Sequence, residues 1–466
     1  MRRTLVALTI IIVSFSLVFS NSCFYGKEKL YPEECRLKVP HVSDQQESKK
    51  YGPQVGGNCH LASATMLLKH FDPTIEFWKV LVYKEDTTSF SFLFCGHSNT
   101  EAAAGLYNGG TDKLFLLARN MGFKPHVRIQ SPITCSDKGQ AKRWIRMANE
   151  VGADVKTFLF CFPMDEFRQL ISSGIPVIAE SPCHNDYHVL EGYSKDKLYA
   201  VIPDPSDVGK TDPRVSCPIG DGLRQDMFWV TPGGEKKTDA ELLSRMKWLA
   251  DLAPTNLRSY ADYIEKGVRV ANWQVEKIYL GRKFASMYFD ELGYEELAEG
   301  YEKSSELFGQ LQNTIFPPEA NQHKDEIIAM FRQIADHEES LYEKWPSPVV
   351  TKTTDYLEYA GLTITAEERT NITIVSHKKD VPKGKLIFEV YDIKTTRPIT
   401  LTFTYKEYQP ANLLRGNLKV IKLSGGEAVE LESVTKEDSQ SATISAEIGG
   451  SGEYALVLFP NPENKY

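Results

Sequence analysis

GIPVIAESPCHNDYHVLEGYSKDKLYAVIPDP, residues Gly174 to Pro205, is the stretch from which the rest of the chain is read. It divides into three strand-like runs. GIPVIAE (174–180) is a short apolar run that starts at a glycine, the pattern of a buried strand. YHVLEGY (187–193) and KLYAVIP (197–203) flank the polar turn Ser194-Lys195-Asp196 and predict a hairpin. With the turn centred on Asp196, His188 faces Asp204. Directly opposed side chains in an antiparallel pair have Cβ atoms roughly 4.5–5.5 Å apart, the distance at which a carboxylate holds an imidazole by its Nδ1–H. The stretch therefore predicts a general base, His188, and its orienting partner, Asp204. Taken singly, each has a plainer reading: a satisfied core histidine, and an Asp-Pro turn at a strand end.

The nucleophile that such a pair serves has one good candidate upstream. In Gln54-Val-Gly-Gly-Asn-Cys59-His-Leu-Ala-Ser-Ala-Thr-Met-Leu-Leu-Lys-His-Phe71, two glycines precede a helical period with Leu61, Ala64, Met66, Leu67, Leu68 and Phe71 on its apolar side. Cys59 falls in the first turn, among unpaired N–H groups at the positive end of the helix dipole. That setting favours thiolate over thiol, and the thiolate is the nucleophile. The same N–H groups, with the amide of Gln54, suit a developing oxyanion.

The pieces VPHVSDQQ (39–46), GNCHLASATMLL (57–68), SSGIPVIAE (172–180), YHVLEGY (187–193) and YAVIPDP (199–205), in this order, resemble the papain-like cysteine peptidase superfamily. Within it they are most similar to the bacteriocin-processing (double-glycine) peptidases and their stand-alone relatives. The resemblance covers residues 38–230. It implies a papain-like α+β domain that cleaves peptide or amide bonds through a thioester, without cofactor or metal. Cys59 would be the nucleophile, His188 the general base and acid, and Asp204 the orienter. Two departures stand out. His60 occupies a position where the family usually has Gly. The oxyanion glutamine commonly lies six residues before the Cys, whereas Gln54 lies five before and Gln46 thirteen. The family includes acyltransferase-like members that carry a helical domain after the papain-like one, so a cysteine-dependent acyltransferase is a second expectation. A non-catalytic binding protein on the same scaffold is a third, and His60 is its support.

The remaining features set the context. The chain has 466 residues, 42% hydrophobic and 25% charged, with net charge −8. No basic run follows Met1-Arg2-Arg3, which argues against nucleic acid as a partner. Residues 1–22 have the charged start, the apolar Leu5–Phe19 run and the small-residue end of a signal peptide, predicting export to the cell surface or beyond. Eight cysteines are present, at 23, 35, 59, 95, 135, 161, 183 and 217. Setting Cys59 aside leaves seven, an odd number for a disulfide-bonded protein. A lipid anchor at Cys23, in Ser20-Asn-Ser-Cys23, would leave six; a disulfide at Cys23 is the plainer reading. Cys183-His184 and His188 are metal-ligand types, but on a loop and strand with no further pair beside them they do not make a tetrahedral set. Cys95-Gly-His97 is adjacent only in sequence.

Helices are predicted near 76–84, 111–121 and 163–174. Pro232-Gly-Gly-Glu-Lys-Lys237 marks a boundary, and Thr238-Asp-Ala-Glu241 is a capping box. Helical periods follow over 239–252, 255–292 (with a break near Gly267 or Gly281), 294–315 and 321–344, until Trp345-Pro-Ser-Pro348. From 371 the period changes to two, in runs from NITIVSH (371–377) to EYALVLF (453–459). The expected order is a signal peptide (1–22), a papain-like domain (36–232), a helical bundle (238–346) and a β-sandwich (360–466). The last has no Cys and one His, His377, so it predicts a structural module or one that binds a surface polymer or protein.

Overall fold

A computed structural model of the chain describes residues 31–51, 59–84, 87, 111–131, 142, 145, 148–149, 152–158, 163–180, 187–204, 211–219, 226–267, 272–315, 323–382, 385–404, 418–425, 427–437 and 442–459. The leader 1–22, Cys23, Gln54, the pair Cys95 and His97, Cys135, Cys161, Cys183 and His184 lie outside the described residues.

The helices are α1 (Asp44–Lys49), α2 (Cys59–Phe71), α3 (Phe77–Tyr83), α4 (Thr111–Asn120), α5 (Met164–Ser172), α6 (Asp239–Glu265), α7 (Asn272–Glu291), α8 (Glu295–Ile315) and α9 (Lys324–Leu341). The strands of the first sheet are β1 (Cys35–Arg36), β2 (Met121–Gln130), β3 (Asp154–Phe158), β4 (Val177–Glu180), β5 (Tyr187–Tyr193), β6 (Lys197–Val201), β7 (Arg214–Pro218) and β8 (Met227–Lys236). Those of the second are β9 (Val350–Tyr359), β10 (Leu362–His377), β11 (Lys385–Leu386), β12 (Val390–Thr395), β13 (Ile399–Thr404), β14 (Leu418–Ser424), β15 (Glu427–Glu430), β16 (Val434–Glu437), β17 (Ala442–Ile448) and β18 (Gly452–Leu458). The protein is therefore of mixed α+β class with two sheets. It divides into two compact units, one of Met1–Glu47, Gly57–Phe77 and Gly110–Glu235, the other of Ser48–Gly56, Trp78–Gly109 and Lys236–Tyr466.

In the first unit the strands run in the order β3-β2-β8-β4-β5-β6-β7. β2 and β3 are parallel; the ladder from β8 through β4, β5 and β6 to β7 is antiparallel. β4, β5 and β6 are the three runs of the opening stretch, and β5 has the expected bounds. β2, β3, β7 and β8 have no counterpart among the expected strands. β8 runs straight through Pro232-Gly233-Gly234, where the sequence suggests only a boundary. Phe167 and Ile171 of α5 pack on Val177, Ala179, Leu190 and Ala200, forming a core on one face of this sheet.

The register of the hairpin corrects one expectation. Ser194 N–H bonds Lys197 C=O at 2.8 Å, so the turn holds two residues, Lys195 and Asp196, rather than being centred on Asp196. Tyr193 then pairs Leu198 and Gly192 pairs Tyr199. Beyond a bulge at Glu191 the pairing becomes Leu190 with Ala200 and Val189 with Val201. The tighter turn and the extra residue each move the register by one. Continuing it, the position abreast of His188 is Ile202, and Asp204 lies two residues further along the chain.

In the second unit, the Thr238–Glu241 capping box is formed in both directions. α6 continues through Pro254 to Glu265, and the chain breaks at Gly267, whose φ is +97°. The second sheet follows β15-β14-β18-β12-β10-β13-β17-β16, with β9 on β10 and β11 on β18. Two separate packed sheets were expected. These strands instead share one hydrogen-bonded path, because β10 is long enough to change partners. Its first part (Leu362–Thr365) pairs β13 and its second (Ile372–His377) pairs β12. Trp248 and Leu252 of α6 are part of the core of this sheet, so helices and strands form one body in this unit.

Candidate active site

Cys59 is the first residue of α2; it is partly exposed and in no disulfide. From His60 to Leu68 every residue of this helix is buried. Such a helix is held on all sides, and it presents its first side chain at the margin of the core. No acidic residue stands in its first turn, while Lys69 and His70 occupy its last. Both favour the helix dipole and negative charge at Cys59.

The far end of α2 is pinned. His70 Nε2 lies 2.9 Å from the carbonyl of Gly174, at the approach to β4, and α2 packs on β4 and β5. β4 then runs from Val177 to Glu180, where it pairs Tyr187, and Ala179 pairs His188.

His188 is fully buried and Asp204 is 8% exposed. The pleat gives His188 the face of Ala179 and Leu190, with the small Ala179 abreast of it. Cys59, His188 and Asp204 all belong to the first unit, and the register leaves His188 and Asp204 two residues out of direct opposition. Gln46 is exposed in the first turn of α1, where its N–H bonds Ser43 Oγ at 3.2 Å. His60, the departure from the family pattern, is buried at 3% exposure in the first turn of α2.

Four residues without an assigned role surround this end of the sheet. His41 places Nε2 3.4 Å from the carbonyl of Pro203, the residue before Asp204. Burial lowers the His41 pKa; the carbonyls of Pro203 and Ile202 pull it up, Arg214 pushes it down and Asp204 pulls it up, and the net position is below the ordinary histidine value. Glu191, the bulge residue, has no exposure and meets Arg36 at 3.0 Å and Arg214 at 3.6 Å. Arg214 also donates to the carbonyl of Val39 at 3.0 Å. The one signal in the sequence was Glu191 itself, a charge in an otherwise apolar strand.

A second polar cluster lies on β2, β3 and β8. His126 sits 3.4 Å from Asp154 Oδ2 through Nδ1 and 2.9 Å from Thr231 Oγ1 through Nε2, and stacks on Trp229. Arg128 covers the Trp229 ring at 4.7 Å and grips Glu166 of α5 with two nitrogens. Burial raises the Asp154 pKa, but the His126 bond and the Arg128 charge outweigh it and hold the carboxyl below its usual range. This cluster ties three strands to a helix.

Among the described residues no group of His, Cys, Asp and Glu has the arrangement of a metal site, and no helix is long and apolar enough to cross a membrane. No protein-family model matches the chain, and no curated protein matches it.

Proposed function

We propose that the first unit is a papain-like thiol hydrolase, a cysteine peptidase acting on exported or surface peptides through a Cys59–His188–Asp204 triad. The observation that carries this reading is the placement of Cys59. A partly exposed cysteine outside any disulfide opens a buried helix, in the same unit as a fully buried histidine and an almost buried aspartate.

In this reading His188 takes the Cys59 proton, and the thiolate attacks the substrate carbonyl carbon. The Cys59 backbone N–H and Gln54 meet the oxyanion. The C–N bond breaks, His188 returns the proton to the leaving amine, and a thioester remains. His188 then deprotonates water, which attacks the thioester and releases a carboxylic acid and free thiol. Asp204 holds the imidazole tautomer and steadies the imidazolium. Adding amine acceptors to the reaction distinguishes hydrolysis from acyl transfer by product.

The test is alkylation of the purified protein with iodoacetamide or an epoxysuccinyl probe over roughly pH 4–9, with the labelled residue located by mass spectrometry. The reading expects selective labelling of Cys59 that persists below the ordinary thiol pKa of about 8.5 and is lost in His188→Ala. Labelling no faster than in denatured protein would overturn it and leave a binding protein on the same scaffold.

A further inference from the structure

The segment leading into the first unit is fastened at several points before it reaches His41. Cys35 pairs Tyr193 and Arg36 pairs Gly192, on the edge of β5 that β4 leaves open. Only a glycine fits at 192, since a Cβ there would lie 2.7 Å from the carbonyl of Cys35. Leu37 N–H donates to Glu191 C=O at 2.7 Å, Arg36 grips the buried Glu191 carboxylate, and Arg214 holds the carbonyl of Val39. Val39 and Val42 are buried on either side of His41. His41 is thus delivered by a clamped strap, half-buried, with Nε2 on the Pro203 carbonyl.

We infer that His41 is a positioning residue for the triad: its Nε2–H fixes the Pro203–Asp204 peptide and so aims the Asp204 carboxylate at His188. The inference rests on the triad reading above. A carbonyl only accepts, so His41 must carry its proton on Nε2. The groups facing it are Arg214 from β7 and Asp204 from the chain after β6, with Glu191 of β5 already engaged by Arg36 and Arg214. Near neutral pH this surrounding keeps His41 uncharged. It therefore offers one donor to the backbone without becoming a second cation that competes with the His188 imidazolium for Asp204.

The experiment is the pH–rate profile of Cys59 alkylation by iodoacetamide in the full chain, for wild type, His41→Phe, His41→Gln, Asp204→Asn, His188→Ala and the double variant His41→Phe/Asp204→Asn. Phe fills the space without a donor; Gln keeps a donor and does not titrate. A less well aimed Asp204 supports the imidazolium less, so the acid limb should move up in His41→Phe by up to about one unit, a slowing of up to roughly tenfold near pH 5. His41→Gln should restore much of the rate. The double variant should match Asp204→Asn alone, because both changes act through one carboxylate. If the His41→Phe and His41→Gln profiles superimpose on wild type while Asp204→Asn shifts, the role of His41 is refuted and the triad stands. If neither Asp204→Asn nor His188→Ala moves the profile, the triad reading fails and this inference with it. Should His41→Phe melt below the assay temperature, His41→Gln carries the comparison: a profile like that of Asp204→Asn would overturn the donor role.

Discussion

Glu191 has no solvent exposure and stands in a strand of apolar neighbours, so its charge has to be met from within, and two arginines meet it. The arginines are partly exposed, the carboxylate is not. The two sides of the cluster therefore fail differently. Glu191→Gln frees two side chains that can turn to water and should cost about 1 kcal/mol in denaturant unfolding. Removing both Arg36 and Arg214 strands a buried carboxylate and should cost about 3–5 kcal/mol. Equal costs would mean that the cluster is wet. Asp154 gives a prediction with a pH sign. Its folded pKa lies below the unfolded value near 3.8, so its contribution is complete above that value and is lost as pH falls through the folded one. The stability gap between wild type and Asp154→Asn should accordingly close on acidification towards pH 3. At this scale the sequence was readable where chemistry and pattern coincide. Cys59 announces itself by opening a helical period. His41 does not, because its partner Pro203 is 162 residues away and nothing local marks the pair.

Elements were legible wherever one period ran unbroken, and misjudged where a single residue changed the local geometry. α2 begins at Cys59 and β5 spans 187–193 as expected. The hairpin register moved by two, once for the two-residue turn and once for the bulged Glu191, neither of which an alternation pattern reports. α6 shows the opposite error. Two helical periods were expected, over 239–252 and from 255 onward, yet one helix passes through Pro254, which is buried within it. An interior proline forfeits a backbone hydrogen bond and crowds the preceding turn, at a cost of about 3 kcal/mol. Pro254→Ala should then raise the unfolding midpoint in a thermal melt, and an unchanged or lower midpoint would show that the ring's packing outweighs the lost hydrogen bond. The β9–β10 hairpin ties this helix to the second sheet. Ala360 sits at φ +52°, a left-handed conformation that strains a side chain, and its carbonyl accepts from Arg245 of α6 at 3.2 Å. A Cβ on Gly361 would lie 2.6 Å from Trp248 Nε1. Ala360→Gly should be neutral to stabilising, whereas Gly361→Ala should destabilise by displacing Trp248; thermal melts of the two variants should move in different directions.

The compact units are not consecutive blocks of sequence, which reading the chain from one end to the other cannot detect. Ser48–Gly56 and Trp78–Gly109 cluster with Lys236–Tyr466. Their described residues make specific contacts there. The Tyr51 ring meets Phe284 edge-on at 4.8 Å, and its carbonyl accepts from Tyr279 at 2.9 Å. Lys79 pairs Glu291 at 2.7 Å, and the Thr87 carbonyl accepts from Arg282 at 2.8 Å. The last contact matters most. Arg282 and Glu338 form an ion pair between α7 and α9 with almost no exposure, and such a pair tolerates no unmet donor. A fragment comprising residues 236–466 keeps the ion pair but loses the carbonyl and the Tyr51 ring. A hydrogen bond to a charged group contributes about 1.5–3 kcal/mol and an aromatic pair about 0.5–1.5 kcal/mol. The isolated fragment should therefore be less stable than the same region in the full chain by about 2–4 kcal/mol. Replacing the ion pair in the fragment with apolar residues, Arg282→Met with Glu338→Leu, should recover part of that loss, because no charged donor is then left short of its acceptor. Equal unfolding midpoints for fragment and full chain, followed at the tryptophans of the fragment, would show that the interleaved segments rest on the second unit without supporting it.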